Sequence, residues 1–523
     1  MAELESDARG LITRLYPKAK LEHVTTTDRK QFHANRIKFL QLAGKNFLLL
    51  QLLFLGLFSY VFGSLFQQSS HIHNINVAFV DYDGGAIGAA VRAAYQSLRG
   101  ETYPTLLERS PESYNTPGDL RHATCMTDYW AALYVSPGAS ASLARALAGN
   151  GSAGYDKTDV LTFVWNEARY SATVDAVIAT NLQTLSSAAR MEYITSNSTS
   201  IGPLSDPVVL SLLAQPWELT SIDIQPTTQG SRAIYNTLVI ILILIQEFFY
   251  LGTINGLYQQ LKIYGRIAPA RIILVRNLNS GAYCFVGSLC TVGTIWAFRS
   301  GWDVNANQFV LSWMIVWLFA HLNFVTLDVF TIWAPLPYVP MALISWVIFN
   351  VTSILLPFEL CPGFYRIGYA APAHEVYQVL IDIWSRGCNP QLYYALPIMF
   401  TWEVAGVCLS ALGVYRRCHY TTLAEQDQEK KFKERLDAAM EFERKREREI
   451  REAEAAHPES EIEKLPTSGT EGPEDEAECR DELSKVMSRQ DSLARRDQRR
   501  ASEALSFGPC FSLPFAGSSD SDE

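Results

Sequence analysis

The chain has 523 residues, 48% of them apolar and 19% charged, with a net charge of −10. Length alone would allow about three or four soluble domains, but the charges crowd the first 45 residues and everything after Tyr415, leaving long stretches almost bare. That distribution excludes a string of ordinary soluble domains and fits lipid-embedded segments with a charged tail. The negative charge comes largely from the tail, so it is no argument about nucleic acid, and none is expected as a partner. The nine cysteines are scattered, with no C-x-x-C pair and no metal-site spacing. A disulfide scaffold, a metal centre and a redox motif are therefore not expected, and no cofactor is implied.

Residues 1–46 form a charged segment in which Phe32, Phe39, Leu40 and Ala43 make an apolar stripe among basic residues. This reads as a helix resting on the inner leaflet. Residues 47–66 follow without a charge, long enough to cross a bilayer. The long charged segment before them and the lack of a small-residue cleavage site after them indicate a signal anchor rather than a cleaved signal.

Residues 67–231 read as a folded α/β domain. Ile75-Asn-Val-Ala-Phe-Val is a β-branched-rich run that ends at the turn signal Asp81-Tyr-Asp-Gly-Gly. Helical spacing covers 87–98. A second strand, Trp130-Ala-Ala-Leu-Tyr-Val, stops at Ser136-Pro-Gly, with a helix from Ala139 to Leu147 behind it. Val160-Leu-Thr-Phe-Val-Trp is a third strand, and 172–194 a long helix. The alternation predicts a mixed sheet covered by helices. Asp81 and Asp83 beside Gly84-Gly are read as a capped turn rather than a cation or phosphate site. Neither G-x-G-x-x-G nor a Walker A loop occurs.

Five further spans are expected within 232–415, at 233–251, 278–298, 309–333, 339–357 and 392–415. Arg29, Lys30, Arg36, Lys38 and Lys45 precede the first span. Lys262, Arg266, Arg271 and Arg276 lie between the second and third, and Arg416 and Arg417 follow the sixth. The alternate loops hold only Arg299, Arg366 and Arg386. All three basic flanks are cytoplasmic if there are six crossings with both termini inside, which places the α/β domain outside. The expected fold class is thus membrane α-helical, six helices arranged 1 + 5, with an extracytoplasmic α/β domain between the first two. The sequons at Asn150 and Asn197 fall on the same outer side, whereas Asn350-Val-Thr lies inside the fifth span and is unusable. Cys361 and Cys388 share the last outer loop, where a disulfide between them is permitted but not fixed by sequence. In that loop, near 372–386, Val376, Val379, Leu380, Ile383 and Trp384 make one side of a helix lying along, or dipping into, the outer surface.

Ionisable residues inside spans are costly, so each is a functional candidate. Glu247 lies towards the inner end of the second span. His321 and Asp328, seven apart, share roughly one face of the fourth, and Glu403 falls near the middle of the sixth. They either line a proton or substrate path or pair with each other, or with Asn277, Asn279 and Gln246, to hold the helices together. Gly252-Thr-Ile-Asn-Gly256 is one small-xxx-small packing motif. Beyond the spans, 416–455 reads as a charged, solvated cytoplasmic helix and 456–523 as a disordered acidic tail. The tail reads first as solubilising, and Ser518, Ser519 and Ser521 beside acidic residues are candidate phosphate acceptors.

An anchor span, an α/β domain opening with Asn76-Val-Ala-Phe-Val-Asp-Tyr-Asp-Gly-Gly, five further spans and the motif Phe364-Tyr-Arg-Ile-Gly-Tyr-Ala-Ala-Pro-Ala-His-Glu-Val-Tyr-Gln resemble the fungal nitrosoguanidine-resistance membrane proteins over about residues 40–420. That family is related to the membrane domains of type-2 ABC exporters and to bacterial phage-infection proteins. The resemblance implies a plasma-membrane protein contributing to drug or toxicant tolerance, by exporting small molecules or by adjusting lipid organisation. It supplies no catalytic residues, and no enzyme is expected. The chain carries no nucleotide-binding domain, so export would need a separate ATPase, an ion gradient or a passive route. Membrane lipids, a small-molecule substrate and a homo-oligomer are the other partners that fit. The alternative is a non-transporting scaffold or stress sensor acting through the outer domain and the tail.

Overall fold

A computed structural model describes residues 29–148, 155–196, 207–227, 239–299, 303–334, 338–456 and 485–487. Asn150, Asn197, the tail serines and nearly all of 456–523 lie outside these residues. The chain divides into two units, Met1–Phe62 and Gly63–Glu523. In the first, helix α1 (Arg29–Ser64) runs unbroken. The expected inner-leaflet helix is therefore not a separate element: it and the span are one continuous helix.

The α/β domain opens with a 3-10 turn (Gln68–Asn74). Then come β1 (Asn76–Asp81), α2 (Ala86–Leu98), β2 (Thr105–Arg109), α3 (Pro117–Cys125), β3 (Ala131–Val135), α4 (Ala139–Leu147) and β4 (Leu161–Trp165). A short turn, α5 (Ser171–Val174), leads through a π-helical stretch into α6 (Thr180–Ser196), so the long helix expected at 172–194 carries a bulge at its start. Helix α7 (Pro207–Ala214) and strand β5 (Leu219–Asp223) complete the domain.

The sheet order is β2-β1-β3-β4-β5, parallel except where β3 meets β4. A mostly parallel sheet is covered on both faces. Val77 and Phe79, Leu133 and Phe163 point towards α2, α4 and α6, while Ala78, Val80, Ala132 and Val164 meet Leu120 and Ala123 of α3. Asp81 accepts the backbone N–H groups of Asp83 and Gly84 and pairs with Arg92 at 2.8 Å, the geometry of a capped turn.

The remaining helices are α8 (Val239–Gln260), α9 (Ile263–Arg266), α10 (Pro269–Ala297), α11 (Ala306–Trp333), α12 (Val339–Thr352), α13 (Pro372–Trp384) and α14 (Leu392–Ala456). Among the described residues five helices, α1, α8, α10, α11 and α14, are long and apolar enough to cross a membrane. The chain is a membrane protein. The fifth expected span is the exception: α12 has only 14 residues, about 21 Å of helix against a hydrocarbon core of about 30 Å. Helix α14 continues from the last span into the charged region for 65 residues without interruption, so the expected tail helix is the same helix as the span.

Helix α11 is central, touching α8, α10, α12, α13 and α14. Asn305 and Gln308 form its capping box, and Gln308 also donates to the carbonyls of Ile383 and Trp384, tying the start of α11 to the end of α13. Helix α13 departs from expectation. It is buried on nearly all sides, including His374, Glu375, Gln378 and Asp382, so it is an internal helix and not a surface one. Several of its polar residues pair locally: His374 Nδ1 lies 2.9 Å from Glu375 Oε1, and Gln378 accepts from Asn389, while Glu375 Oε2 has no partner among the described residues. Asn350, fully buried, accepts from the Ala373 N–H and so caps the start of α13.

The α/β domain is fastened to this internal helix. The Tyr377 hydroxyl accepts from the Tyr170 N–H at 3.0 Å, and the two rings meet edge-on. Asn166 donates to the Cys388 carbonyl and Gln391 to the Thr127 hydroxyl. Cys388 is disulfide-bonded to Cys125 at the end of α3, with the Cα atoms 4.2 Å apart. The candidate pairing with Cys361 is thereby corrected: Cys361 is a buried free thiol, and burial pushes it up to about 11, so it stays protonated and inert.

Candidate functional site

The four ionisable candidates separate into three environments. Glu403 of α14 and His321 of α11 meet directly, Oε1 to Nδ1, at 2.7 Å. The other ring nitrogen of His321, Nε2, lies 3.0 Å from the Ser280 hydroxyl of α10. Both residues of the pair are partly exposed, at 15% and 18%.

That exposure opens onto a cavity of about 1090 Å³ between α10, α11, α13 and α14. Its wall near the α/β domain carries Asn305, Gln308, Asp382 and Arg386; its deep end carries Asn277, His321 and Glu403. Leu311, Trp317, Leu396 and Phe400 supply much of the rest. His321 lies 15 residues along α11 and Glu403 11 residues along α14. At 1.5 Å per residue these are about 22 Å and 16 Å into the bundle, near the middle of a bilayer-sized slab.

Asp328 is elsewhere and fully buried. Arg276 grips it at two points, 2.6 Å and 3.2 Å, Ser410 donates to it at 2.6 Å, and Arg417 stands at 3.5 Å. Asn255, Thr331 and Tyr264 take further guanidinium donors. Helices α8, α9, α10, α11 and α14 all contribute to this cluster. It is a cross-brace at the end of the bundle away from the α/β domain.

This changes the reading of two residues counted as loop charges. Arg276 is inside α10, which begins at Pro269 rather than near 278, and Arg417 is inside α14. Both are 2% exposed. Lys262, Arg266 and Arg271 remain exposed at this end and keep the basic flank.

Glu247 is fully buried in α8, which extends beyond the expected end of the span to Gln260. The Cys284 thiol donates to one of its oxygens at 3.3 Å, and the other has no partner among the described residues. Of the suggested amide partners, none holds the acids. Gln246 bonds Tyr283, Asn277 turns back to the Ile273 carbonyl, and Asn279 is exposed. Gly252 and Gly256 are buried in α8. Sequence reasoning missed Ser280 and Ser410, which carry no charge or motif, and Asp382, a charge inside the apolar run Val379-Leu-Ile-Asp-Ile-Trp that was read as the polar side of a surface helix. Among the described residues no group of three His, Cys, Asp or Glu side chains converges as for a metal ion.

The profile of the DUF3533 family, described as "Protein of unknown function", matches residues 46–408. The match takes in more than half of the chain, from the anchor span to the last membrane helix, and the chain belongs to this family.

Proposed function

We propose that this protein is a permease-like plasma-membrane protein that contributes to toxicant resistance, as the likeness to the nitrosoguanidine-resistance proteins implies, by carrying small molecules through the cavity. In this reading the chain crosses the membrane six times, with both termini cytoplasmic and a glycosylated α/β domain outside. The short α12 makes the fifth crossing together with the residues after it. The exposed Lys262, Arg266 and Arg271 support this direction even after Arg276 and Arg417 are removed from the count.

The observation that carries the proposal is the cavity itself. Apolar walls with a few convergent polar groups, in a volume at the upper end for drug-sized ligands, describe a small-molecule site. A costly ion pair at its deep end, near mid-bundle, is what a transport path needs and a purely structural bundle does not. Adjustment of lipid organisation is the same function with a lipid as cargo. A separate ATPase, an ion gradient or a passive route supplies the step in this reading.

The test is access. Leu396→Cys, in a chain whose exposed Cys290 and Cys408 are replaced by serine, should react with a membrane-impermeant maleimide in intact cells. Failure to label, with normal surface expression, contradicts an outward-open cavity. The competing scaffold or sensor reading draws support from α14, which joins the bundle to the charged tail as one helix. It requires tail deletion to abolish resistance while cavity substitutions leave it intact.

A further inference from the structure

The hydrogen bonds around His321 set up a two-state arrangement. The Ser280 hydroxyl has one hydrogen and two acceptors within reach, the Asn277 carbonyl at 3.1 Å and His321 Nε2 at 3.0 Å. If the hydroxyl donates to Asn277, His321 Nε2 must itself donate to Ser280. With Nδ1 donating to Glu403, the ring is then an imidazolium and the pair with Glu403 is neutral overall. If the hydroxyl rotates to donate to Nε2, the ring is neutral and Glu403 keeps an uncompensated negative charge. Both states are fully bonded at His321, and they differ by one proton.

Among the described residues, no other charge pairs with that carboxylate. Among the groups around the pair, α10 presents Ser280 and Cys284. Beyond these, α8 presents Glu247, already receiving the Cys284 thiol. From α13 comes Asp382, which accepts the Asn389 N–H. Arg386 is turned to Asp303 at 2.6 Å, and α12 has no ionisable residue. Arg276 and Arg417 are both committed to the Asp328 carboxylate. Glu403 Oε2 has no partner among the described residues. Trp317 and Phe400 stand in the same cavity, and aromatic faces attract cations.

We propose that the cavity binds amphipathic organic cations, with the Glu403 carboxylate shared between the bound cation and a proton carried by His321. The inference rests on the cavity being a substrate site. The exchange is balanced: a cation enters beside Glu403, the imidazolium of His321 releases one proton to solvent, and the Ser280 hydroxyl turns from Asn277 to Nε2. Charge is conserved, no covalent bond is made, and an inward proton gradient would drive cation export through this one carboxylate.

The experiment uses the full chain in lipid nanodiscs and radiolabelled tetraphenylphosphonium. Wild type should bind it more weakly as pH falls, approaching tenfold per unit on the acid side, and release close to one proton per cation in weak buffer. Glu403→Gln should lose at least tenfold in affinity, with Glu403→Asp restoring much of it. His321→Gln should still bind but show no pH dependence between pH 6 and 8. Unfolding midpoints close to wild type certify each variant. Wild-type affinity in Glu403→Gln, or a pH dependence that survives His321→Gln, overturns the proposal. The neutral probe N-phenyl-1-naphthylamine separates the failures. If wild type binds it but not tetraphenylphosphonium, the cation proposal falls while the cavity reading stands. If it binds neither, both fall.

Discussion

Arg276 holds Asp328 at two points, at 2.6 Å and 3.2 Å, inside a fully buried site, whereas Glu403 pairs with His321 and has a cavity at its side. Replacing one member of a buried ion pair leaves its partner uncompensated, at a cost of about 3–5 kcal/mol. Asp328→Asn should therefore cut the yield of folded protein and lower its unfolding midpoint, since two buried arginines lose their only carboxylate. Glu403→Gln should keep both near wild type and act on function. Fluorescence-detected size exclusion with a thermal ramp compares them, and equal losses would contradict the division into brace and site.

Gly281 lines the cavity on α10, and a Cβ there would meet nothing within 4 Å. Gly281→Phe should fill the deep part of the cavity without a clash. It should hold or raise stability, because glycine in a helix interior costs up to about 1 kcal/mol. Loss of cation binding and of resistance, with the midpoint unchanged or higher, is the expected pair of results. Normal resistance in this variant would argue that the cavity is not used.

The Cys125–Cys388 bond closes a loop across 263 residues and joins α3 to the end of α13. Cys125→Ser and Cys388→Ser should produce the same mobility shift on non-reducing gels and the same loss of stability, of the order of 2–5 kcal/mol. Cys361→Ser should produce no shift. A shift with Cys361→Ser would mean that the bond is placed differently.

Asp223 at the end of β5 reports pH. Burial pushes its carboxyl up to about 7, helped by the adjoining Glu167 carboxyl and opposed by the N–H groups of Glu167 and Gln225. The folded value lies above the unfolded one of about 3.9, so the folded chain holds an extra proton between them. This stabilisation is complete below about pH 4 and is lost as pH rises through 7. The unfolding midpoint of the α/β domain should fall across that range, and Asp223→Asn should flatten the slope. An unchanged slope would assign it to another group.

What could be read in advance follows from burial. Strands β1, β3 and β4 are central and covered on both faces, so they stand out as apolar runs. Strands β2, Thr105-Leu-Leu-Glu-Arg, and β5, Leu219-Thr-Ser-Ile-Asp, lie at the edges and are half polar, and no periodicity marks them. Glu247, His321, Asp328 and Glu403 were visible as charges in apolar helices, but their pairings depend on helix rotation and depth. Arg276 looked like loop because the charged first turns of α10 mask where the helix starts. Cys125 sits in a polar helix 263 residues from Cys388, with no local signal to join them. Helix α13 looked amphipathic because its polar side is buried against the protein instead of facing water.

The most direct measurement is intracellular accumulation of a labelled cationic toxicant. It compares cells lacking the protein, complemented with wild type, or complemented with Glu403→Gln at equal surface expression. Higher accumulation without the protein, reversed by wild type and not by Glu403→Gln, is the predicted result. Equal accumulation in all three would contradict transport through this cavity.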